Sequence, residues 1–174
     1  MKATAVALLI VTGAAIDLAV KAWARSALEP YGPPLDFLPF VSLRLTFNEG
    51  VSFSLLSFDG EAGKLALLVA TGLLTAAVIG WAFRSHGWER LAAAVIAAGA
   101  LANLIDRGAR GAVTDFLGLH FGSWHPFVFN LADVWITLGV ALLLVRPYLP
   151  ATASTAGPSR PRGAEGLAAG GGEP

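Results

Sequence analysis

The sequence predicts an all-α membrane protein with four transmembrane helices and a small extracytoplasmic β-hairpin or cradle. Composition is the first observation behind this fold class, because 55% of the 174 residues are hydrophobic and only 14% are charged. In soluble domains about a quarter of the residues are charged. The second observation is that the apolar residues form four long runs, each close to the roughly 20 residues that cross a bilayer.

These runs predict membrane helices at about residues 3–24, 63–83, 88–106 and 127–149. The first run also resembles a cleavable signal peptide, because Lys2 precedes it and the sequence AWA at residues 22–24 resembles a cleavage site. We favour a retained helix, since Asp17 and Lys21 lie where the core of a signal peptide is uncharged. In the second and third runs, small residues at four-residue spacing indicate either close helix contact or chance spacing in alanine-rich helices; they are Gly72, Ala76 and Gly80 in the second run and Ala94, Ala98 and Ala102 in the third.

Basic residues near the ends of the runs predict that both termini face the cytoplasm. Lys and Arg accumulate in the cytoplasmic segments of membrane proteins. The segments assigned to that side hold Lys2, Arg84, Arg90, Arg146, Arg160 and Arg162. Arg107 and Arg110 fall on the outer side and reduce the difference in basic residues between the two sides. An even number of helices with both termini inside still fits the distribution of basic residues best.

The segment between the first two runs predicts a β-hairpin over about residues 40–58. Apolar and polar residues alternate on both sides of Asn48-Glu49-Gly50, with the apolar positions Val41, Leu43, Leu45 and Phe47 before it and Val51, Phe53 and Leu55 after it. A lone hairpin is marginally stable in water. We therefore expect this one to rest on the bilayer or on the helix bundle.

The C-terminal segment differs from the rest of the chain. Residues 151–174 are a mixture rich in Pro, Gly and Ala without hydrophobic periodicity, a composition that cannot bury a core. The sequence thus predicts a transmembrane domain over residues 1–150 and a disordered cytoplasmic tail over residues 151–174.

Composition also argues against several functions. The chain has no cysteine, which excludes disulfides, a thiol nucleophile and a cysteine metal site. Its net charge is zero and its arginines are scattered, so nothing indicates a nucleic-acid surface. His120 and His125 have a spacing that matches no recognised ligand motif. We interpret them as loop histidines and expect neither a metal nor another cofactor.

The polar residues of the apolar runs collect near the predicted outer ends. Asp17 lies about 14 residues into the first run, roughly 21 Å along a helix that rises 1.5 Å per residue. The other outer ends and loops hold Asn48, Asn103, Asp106, Arg107, Asp115, Asn130 and Asp133. Ionisable groups at membrane depth are costly and are functional by default. The alternative is that two ion pairs only hold helices together, Asp17 with Lys21 and Asp106 with Arg107.

Asp115 and Asp133 lack such local partners. No cation is closer in sequence to Asp115 than Arg110, and no basic residue follows Asp133 before Arg146. Two carboxylates that face each other share one proton, and such a pair can activate water and protonate a leaving group, as in aspartic proteases. The residues alone leave open that these aspartates are simply solvated or bind an ion.

Five short motifs carry a family resemblance. In chain order they are DLAVK (17–21), NEGVSFS (48–54), GALANLIDR (99–107), VTDF (113–116) and FNLAD (129–133). Each is weak alone, but together and in this order they resemble signal peptidase II, the lipoprotein signal peptidase of bacteria. The resemblance extends over about residues 10–148.

This resemblance implies an intramembrane aspartic endopeptidase of the bacterial cytoplasmic membrane, with its active site near the outer leaflet. It would cut prolipoproteins before a diacylglyceryl-modified cysteine, contact membrane lipids, act as a monomer without a metal or cofactor, and be inhibited by globomycin. Asp115 and Asp133 would be catalytic. The residues implied to bind substrate or support the site are Asp17, Lys21, Asn48, Gly50, Asn103, Asp106, Arg107 and Asn130.

The sequence departs from the family pattern at a few positions. Ala102 replaces the usual glycine before the asparagine, Val51-Ser52 replaces a common Ala-Ala, and Val134 replaces a frequent serine. None of these changes removes a carboxylate or an amide. They bear on helix packing and substrate fit rather than on the reaction.

Two other functions fit carboxylates in a membrane. A transporter or proton conductor would contain them too. Such a protein needs a chain of polar side chains that continues through the whole membrane. The inner halves of the runs hold hardly any polar side chains beyond Thr12, Thr71 and Thr75. The second alternative is an inactive scaffold that binds lipidated signal peptides, which a cleavage assay distinguishes from a peptidase.

Overall fold

The computed structural model describes residues 1–50, 61–122 and 124–148. Within these ranges the helices are α1 (Ala3–Ala27), α2 (Glu61–Arg84), α3 (Gly87–Arg110) and α4 (Leu131–Val145), followed by a 3-10 turn at Arg146–Tyr148. The strands are β1 (Leu35–Leu38), β2 (Val41–Asn48), β3 (Val113–Phe121) and β4 (Trp124–Phe129). The predicted tail, residues 151–174, lies outside the described residues.

Three helices of the described part, α1, α2 and α3, are long and apolar enough to cross a membrane by length and composition. The fourth, α4, is apolar but has 15 residues. The apolar run that predicted it begins at residue 127, whereas β4 continues to Phe129 and Asn130 caps the helix. The strand and the helix are both apolar, so hydropathy alone did not separate them.

The small sheet is larger than the predicted hairpin. Within the described ranges its strands lie in the order β1-β2-β3-β4, and each neighbouring pair is antiparallel. β2 forms the predicted first arm, but its neighbours are β1 and β3. The positions predicted for the second arm, Val51, Phe53 and Leu55, lie outside the described residues.

The register of β2 against β3 brings two distant motifs together. Thr46 lies opposite Asp115, and Asn48 lies opposite Val113. Side chains two residues apart on a strand point to the same face, so Asn48 and Thr46 lie on one face near Asp115. The sheet therefore places the NEG motif beside the VTDF motif.

Helix α3 lies at the centre of the bundle, in contact with α1, α2 and α4. Ala94, Ala98 and Ala102 are buried, as close helix contact requires, whereas Ala76 of the second run is exposed. A Cβ atom added to Gly99 would collide with the carbonyl oxygen of Ala132 and lie 2.9 Å from Ile136 Cγ1. Backbones that approach this closely require a small residue, so Gly99 fixes the separation of α3 and α4.

The described residues of the five motifs lie toward one end of the bundle. Helix α3 ends at Arg110, Gly111 adopts a left-handed conformation with φ of 78°, and β3 begins two residues later. Since β4 leads directly into α4, the sheet covers the end of α3 and the beginning of α4. Asp115 and Asp133 are thus delivered to the same end by different elements.

Candidate active site

Asp115 is held at a buried position on β3. Its residue is only 4% exposed. Its Oδ1 accepts a hydrogen bond of 2.6 Å from Nδ2 of Asn130, and the side chain of Asn48 also hydrogen-bonds to it. Asp115 is therefore contacted by amide groups from the NEG and FNLAD motifs.

Asp133 lies in the first turn of α4 and is partly exposed. The backbone N–H of Asp133 donates to Asn130 Oδ1 at 3.0 Å, and the N–H of Asn130 donates to Asp133 Oδ2 at 3.2 Å. This reciprocal capping box satisfies two amide groups that would have no partner within the helix. The positive end of the helix dipole also favours a carboxylate here.

Asn130 joins the two aspartates. Its oxygen accepts from the Asp133 backbone, which leaves its NH₂ group to donate to Asp115. Asn130 is fully buried, so the amide orientation is set by both contacts. One side chain therefore bridges the carboxylate on β3 and the cap of α4.

The surroundings of Asp115 change its acidity. Burial raises the pKa of Asp115 to about 6, and the negative charge of Asp133 acts in the same direction. The hydrogen bonds from Asn130 and Asn48 oppose this rise in pKa, because they stabilise the ionised form. Asp115 consequently holds its proton to a higher pH than an ordinary aspartate does.

A second chain of contacts reaches Asp133 from α1. The buried Lys21 Nζ lies 2.8 Å from Asp17 Oδ2 and donates to Asn103 Oδ1 at 2.6 Å. Asn103 Nδ2 in turn donates to Asp133 Oδ1 at 3.0 Å. Because Lys21 engages the oxygen of Asn103, the NH₂ group of that amide points at Asp133.

Asp17 also ties α1 to α4. Its Oδ1 accepts a 2.8 Å hydrogen bond from the backbone N–H of Ala132, within the first turn of α4. The sequence left open whether Asp17 and Lys21 form a helix-joining ion pair or serve the site. Their contacts do both, since the pair joins α1 to α4 and Lys21 contacts a partner of Asp133.

Asp106 anchors the start of β3. Its Oδ2 accepts a 2.7 Å hydrogen bond from the N–H of Thr114, the residue before Asp115. The expected pairing of Asp106 with Arg107 is wrong: the ion pairs of Asp106 are with Arg25 at 3.2 Å, Arg110 at 3.4 Å and Lys21 at 3.9 Å. Arg110 is one helical turn after Asp106, whereas adjacent helix residues such as 106 and 107 point in different directions.

Arg25 is a site-supporting residue that sequence reasoning missed. Its Nη1 donates to Thr114 Oγ1 at 2.8 Å as well as to Asp106. A signal for it was available, because Arg25 follows Lys21 by four residues and residues at that spacing share a helix face.

Arg107 and Gly50 complete this end of the bundle. Arg107 is half-buried and interacts electrostatically with Asp115 and Asp133. Gly50 has φ of +83°, and its N–H donates to Asn48 Oδ1 at 2.9 Å. That backbone conformation favours glycine, and a Cβ atom there would lie 4.0 Å from Arg107 Nη2. The NEG turn is therefore next to Arg107.

The interpretation of His120 and His125 as loop residues is wrong, because His120 lies on β3 and His125 on β4. His120 and His125 stack with ring centroids 5.6 Å apart. In residues 1–50, 61–122 and 124–148, no three His, Asp or Glu side chains converge in the way that a metal ion requires.

Apolar helices with a carboxylate-bearing end under a small antiparallel sheet define the class of the fold, that of helical membrane proteins. A solved bacterial membrane enzyme has this fold, with a TM-score of 0.71, 23% identity, and coverage of 83% of this chain and 93% of that one. The family model for signal peptidase (SPase) II matches residues 9–149.

Curated relatives agree with the family match. The lipoprotein signal peptidase of Mesorhizobium japonicum is 39% identical over 141 residues, which cover 79% of this chain and 82% of that one. That of Pelagibacter ubique is 40% identical over 107 residues, or 62% and 64% of the two chains. The chain belongs to the signal peptidase II family, and it is thus a peptidase of the bacterial inner membrane.

Proposed function

We propose that this protein is an aspartic endopeptidase that removes signal peptides from diacylglyceryl-modified prolipoproteins by cutting before the lipidated cysteine. Asp115 and Asp133 are the catalytic residues of this proposal. The observation that carries it is the bridge by Asn130, which contacts the Asp115 carboxylate with one end of its amide and the Asp133 backbone with the other.

Asp115 is the proton donor in the proposed reaction. Its raised pKa of about 6 makes the neutral acid available, while the positive end of the α4 dipole favours a carboxylate at the start of that helix, where Asp133 lies. The Asp133 carboxylate takes a proton from a water molecule, whose oxygen attacks the scissile carbonyl carbon. Asp115 gives its proton to the carbonyl oxygen, and the tetrahedral intermediate forms.

Collapse of the intermediate breaks the peptide C–N bond. The proton taken up by Asp133 passes to the leaving nitrogen, which becomes the free amino group of the lipidated cysteine. The signal peptide leaves with a new carboxyl group, and Asp115 recovers its proton from that group. Arg107, which interacts with both aspartates, stabilises the carboxylate that remains on Asp115 after it has given its proton to the carbonyl oxygen.

We propose further that the chain crosses the membrane four times and that its active site lies near the outer leaflet. Helix α4 and the following 3-10 turn comprise residues 131–148 and rise about 28 Å, close to the roughly 30 Å hydrocarbon layer. Four crossings with the inner-side basic residues place both termini in the cytoplasm. In this arrangement the enzyme is a monomer that uses neither metal nor cofactor, and its partners are the prolipoprotein and membrane lipids.

The supporting residues have distinct roles in the proposal. Lys21 and Asn103 orient Asp133, while Asp17 holds the start of α4. Asp106 positions β3 through Thr114. Asn48 and Gly50 form the turn beside Arg107 that meets the substrate.

The decisive test is cleavage of a diacylglyceryl prolipoprotein by the purified protein. We expect Asp115→Asn and Asp133→Asn each to reduce the cleavage rate by about 100- to 10,000-fold, the usual contribution of an acid or base. Asp36→Asn on exposed β1 is the matched control, and it should cleave like wild type. Globomycin should block the wild-type reaction.

Folding of each variant is checked by its melting temperature in detergent. A folded Asp115→Asn or Asp133→Asn protein that cleaves at the wild-type rate would show that the assigned pair is wrong. Wild-type protein that binds the lipidated substrate without cutting it would favour a scaffold instead.

A further inference from the structure

A cleft of about 610 Å³ lies at the end of the bundle opposite the candidate active site. It is lined by Arg84, Ser85, His86, Trp88, Glu89 and Arg146. From Trp88 to Arg107, helix α3 advances by about 19 residue steps and rises about 28 Å, nearly the thickness of the hydrocarbon layer. The cleft is therefore at the second membrane surface.

The lining of the cleft carries more positive than negative charge. Arg84 and Arg146 bring two guanidinium groups and Glu89 brings one carboxylate. The Nη1 atom of Arg84 lies 3.0 Å from the point where a Cβ of Gly80 would be, so this side chain folds back toward the membrane. In the described part of the chain, none of the ion pairs involves Arg84.

Arg90 fixes the wall of the cleft. Its Nε donates to the carbonyl oxygen of Ser85 at 2.5 Å, its Nη2 to that of Phe83 at 3.2 Å, and its Nη1 to that of Met1 at 2.5 Å. The bonds to Ser85 and Phe83 satisfy backbone carbonyls at the end of α2, which otherwise lack partners within the helix, and the bond to Met1 ties the N-terminus to α3. The α2–α3 turn that presents Arg84 is consequently held in place without a ligand.

Apolar surface continues from the cleft along the bundle. Trp88 is 50% exposed, and tryptophan favours the level of lipid headgroups. Next to the lining residues in sequence, Phe83, Leu144 and Val145 are also exposed. A ligand of this cleft can therefore place a phosphate on the arginines and hydrocarbon chains against the helices.

We propose that the cleft binds the phosphate headgroup of an anionic glycerophospholipid. The planar guanidinium group matches phosphate oxygens in a bidentate way, and basic pockets between membrane helices bind anionic headgroups. The volume of about 610 Å³ is within the roughly 300–1,000 Å³ range of small-molecule sites. The adjoining apolar surface favours a lipid over free phosphate.

The experiment compares lipids added to the purified full-length protein in a neutral detergent. Native mass spectrometry counts bound phosphatidylglycerol and phosphatidylcholine, and a parallel titration uses inorganic phosphate. We expect the wild type to retain phosphatidylglycerol selectively. The Arg84→Gln/Arg146→Gln variant should bind it at least about tenfold more weakly, because each arginine near a phosphate adds about 1 kcal/mol.

Lys2→Gln is the matched control, since it removes one cation from the same end of the bundle outside the cleft. It should retain the wild-type preference. If the double glutamine variant fails to fold, Arg84→Lys/Arg146→Lys serves instead, because it keeps the charge but loses the bidentate geometry, and it should weaken binding by a smaller factor.

Three results would overturn the proposal. One is equal retention of the two lipids by wild type. Another is a loss in Lys2→Gln as large as that in Arg84→Gln/Arg146→Gln, which would indicate diffuse surface charge. The third is saturable binding of inorganic phosphate without selective retention of phosphatidylglycerol, which would assign the cleft to a free anion.

Discussion

Asp115 couples its protonation to the stability of the fold. Burial raises its pKa to about 6, above the roughly 3.9 of an unfolded aspartate. The folded protein therefore binds this proton more tightly than the unfolded chain does. The associated stabilisation is complete below pH of about 4 and is lost as the pH rises through about 6.

We predict that Asp115→Asn removes this pH dependence. Asparagine keeps an oxygen that can accept the hydrogen bond from Asn130, but it cannot ionise. Relative to the variant, wild type should lose on the order of 3 kcal/mol of stability between pH 4 and 8. The free energy of unfolding is measured in detergent at several pH values for wild type and for the variant, with Asp36→Asn as the control. If the free energy of unfolding changed with pH in the same way for wild type and Asp115→Asn, the prediction would be contradicted.

Lys21 is the residue whose loss should destabilise the protein most. Lys21→Met leaves the Asp17 carboxylate buried without its partner 2.8 Å away, and breaking a buried pair costs about 3–5 kcal/mol. The double variant Asp17→Asn/Lys21→Met removes both charges and keeps an acceptor for the Ala132 N–H. The free energy of unfolding of the double variant should be higher than that of Lys21→Met. If it is not, the broken ion pair is not the cause of the destabilisation by Lys21→Met.

Sequence reasoning identified the charged residues of the site better than their partners. Asp17 and Lys21 are four residues apart on one helix, so their pairing was predictable from helical spacing. The contact of Lys21 with Asn103, 82 residues away, depends on how α1 packs on α3. No local pattern contains that information.

At the scale of elements, the beginning of α4 shows how a cap overrides hydropathy. Residues 127–129 are as apolar as the helix that follows, and hydropathy placed them in one run. Asn130 and Asp133 form the reciprocal cap, which ends the strand and starts the helix. The alternation in residues 41–47 did predict β2, but its pairing with β3 could not be predicted because the partners are about 70 residues apart in sequence.

The approach of α3 to α4 gives a test with a matched control. A methyl group on Gly99 collides with the Ala132 carbonyl, whereas one on Gly72 would lie 3.8 Å from Leu104. Gly99→Ala should therefore destabilise the protein by about 1–3 kcal/mol. Gly72→Ala should be neutral or stabilising by up to about 1 kcal/mol, since alanine favours helices. Equal melting temperatures for the two variants would argue against this close approach.

At the scale of the whole molecule, the high share of hydrophobic residues and the low share of charged residues were enough to predict a membrane protein. The order of the helices along the chain was predictable from the apolar runs. Their arrangement around α3 was not, because lipid-facing and buried residues are equally apolar. In such a bundle small residues mark the contacts, as Ala94, Ala98 and Ala102 did.

We predict that residues 151–174 contribute nothing to catalysis. Their composition cannot support a packed core, and the proposed site draws its residues from positions 17–133. A chain that ends at residue 150 should keep the wild-type melting temperature and cleavage rate, measured side by side with the full-length protein. A loss of cleavage in a folded truncated protein would assign the tail a role.

The hydrogen bond from Ala132 to Asp17 has a consequence for biosynthesis. Its partners are 115 residues apart, and the ribosome adds Asp17 to the growing chain long before Ala132. A nascent chain that has completed α1, α2 and α3 contains Asp115 but lacks Asn130 and Asp133. The proposed site is assembled only when the last helix enters the bilayer, so an unfinished chain is inactive toward lipoproteins made in the same membrane.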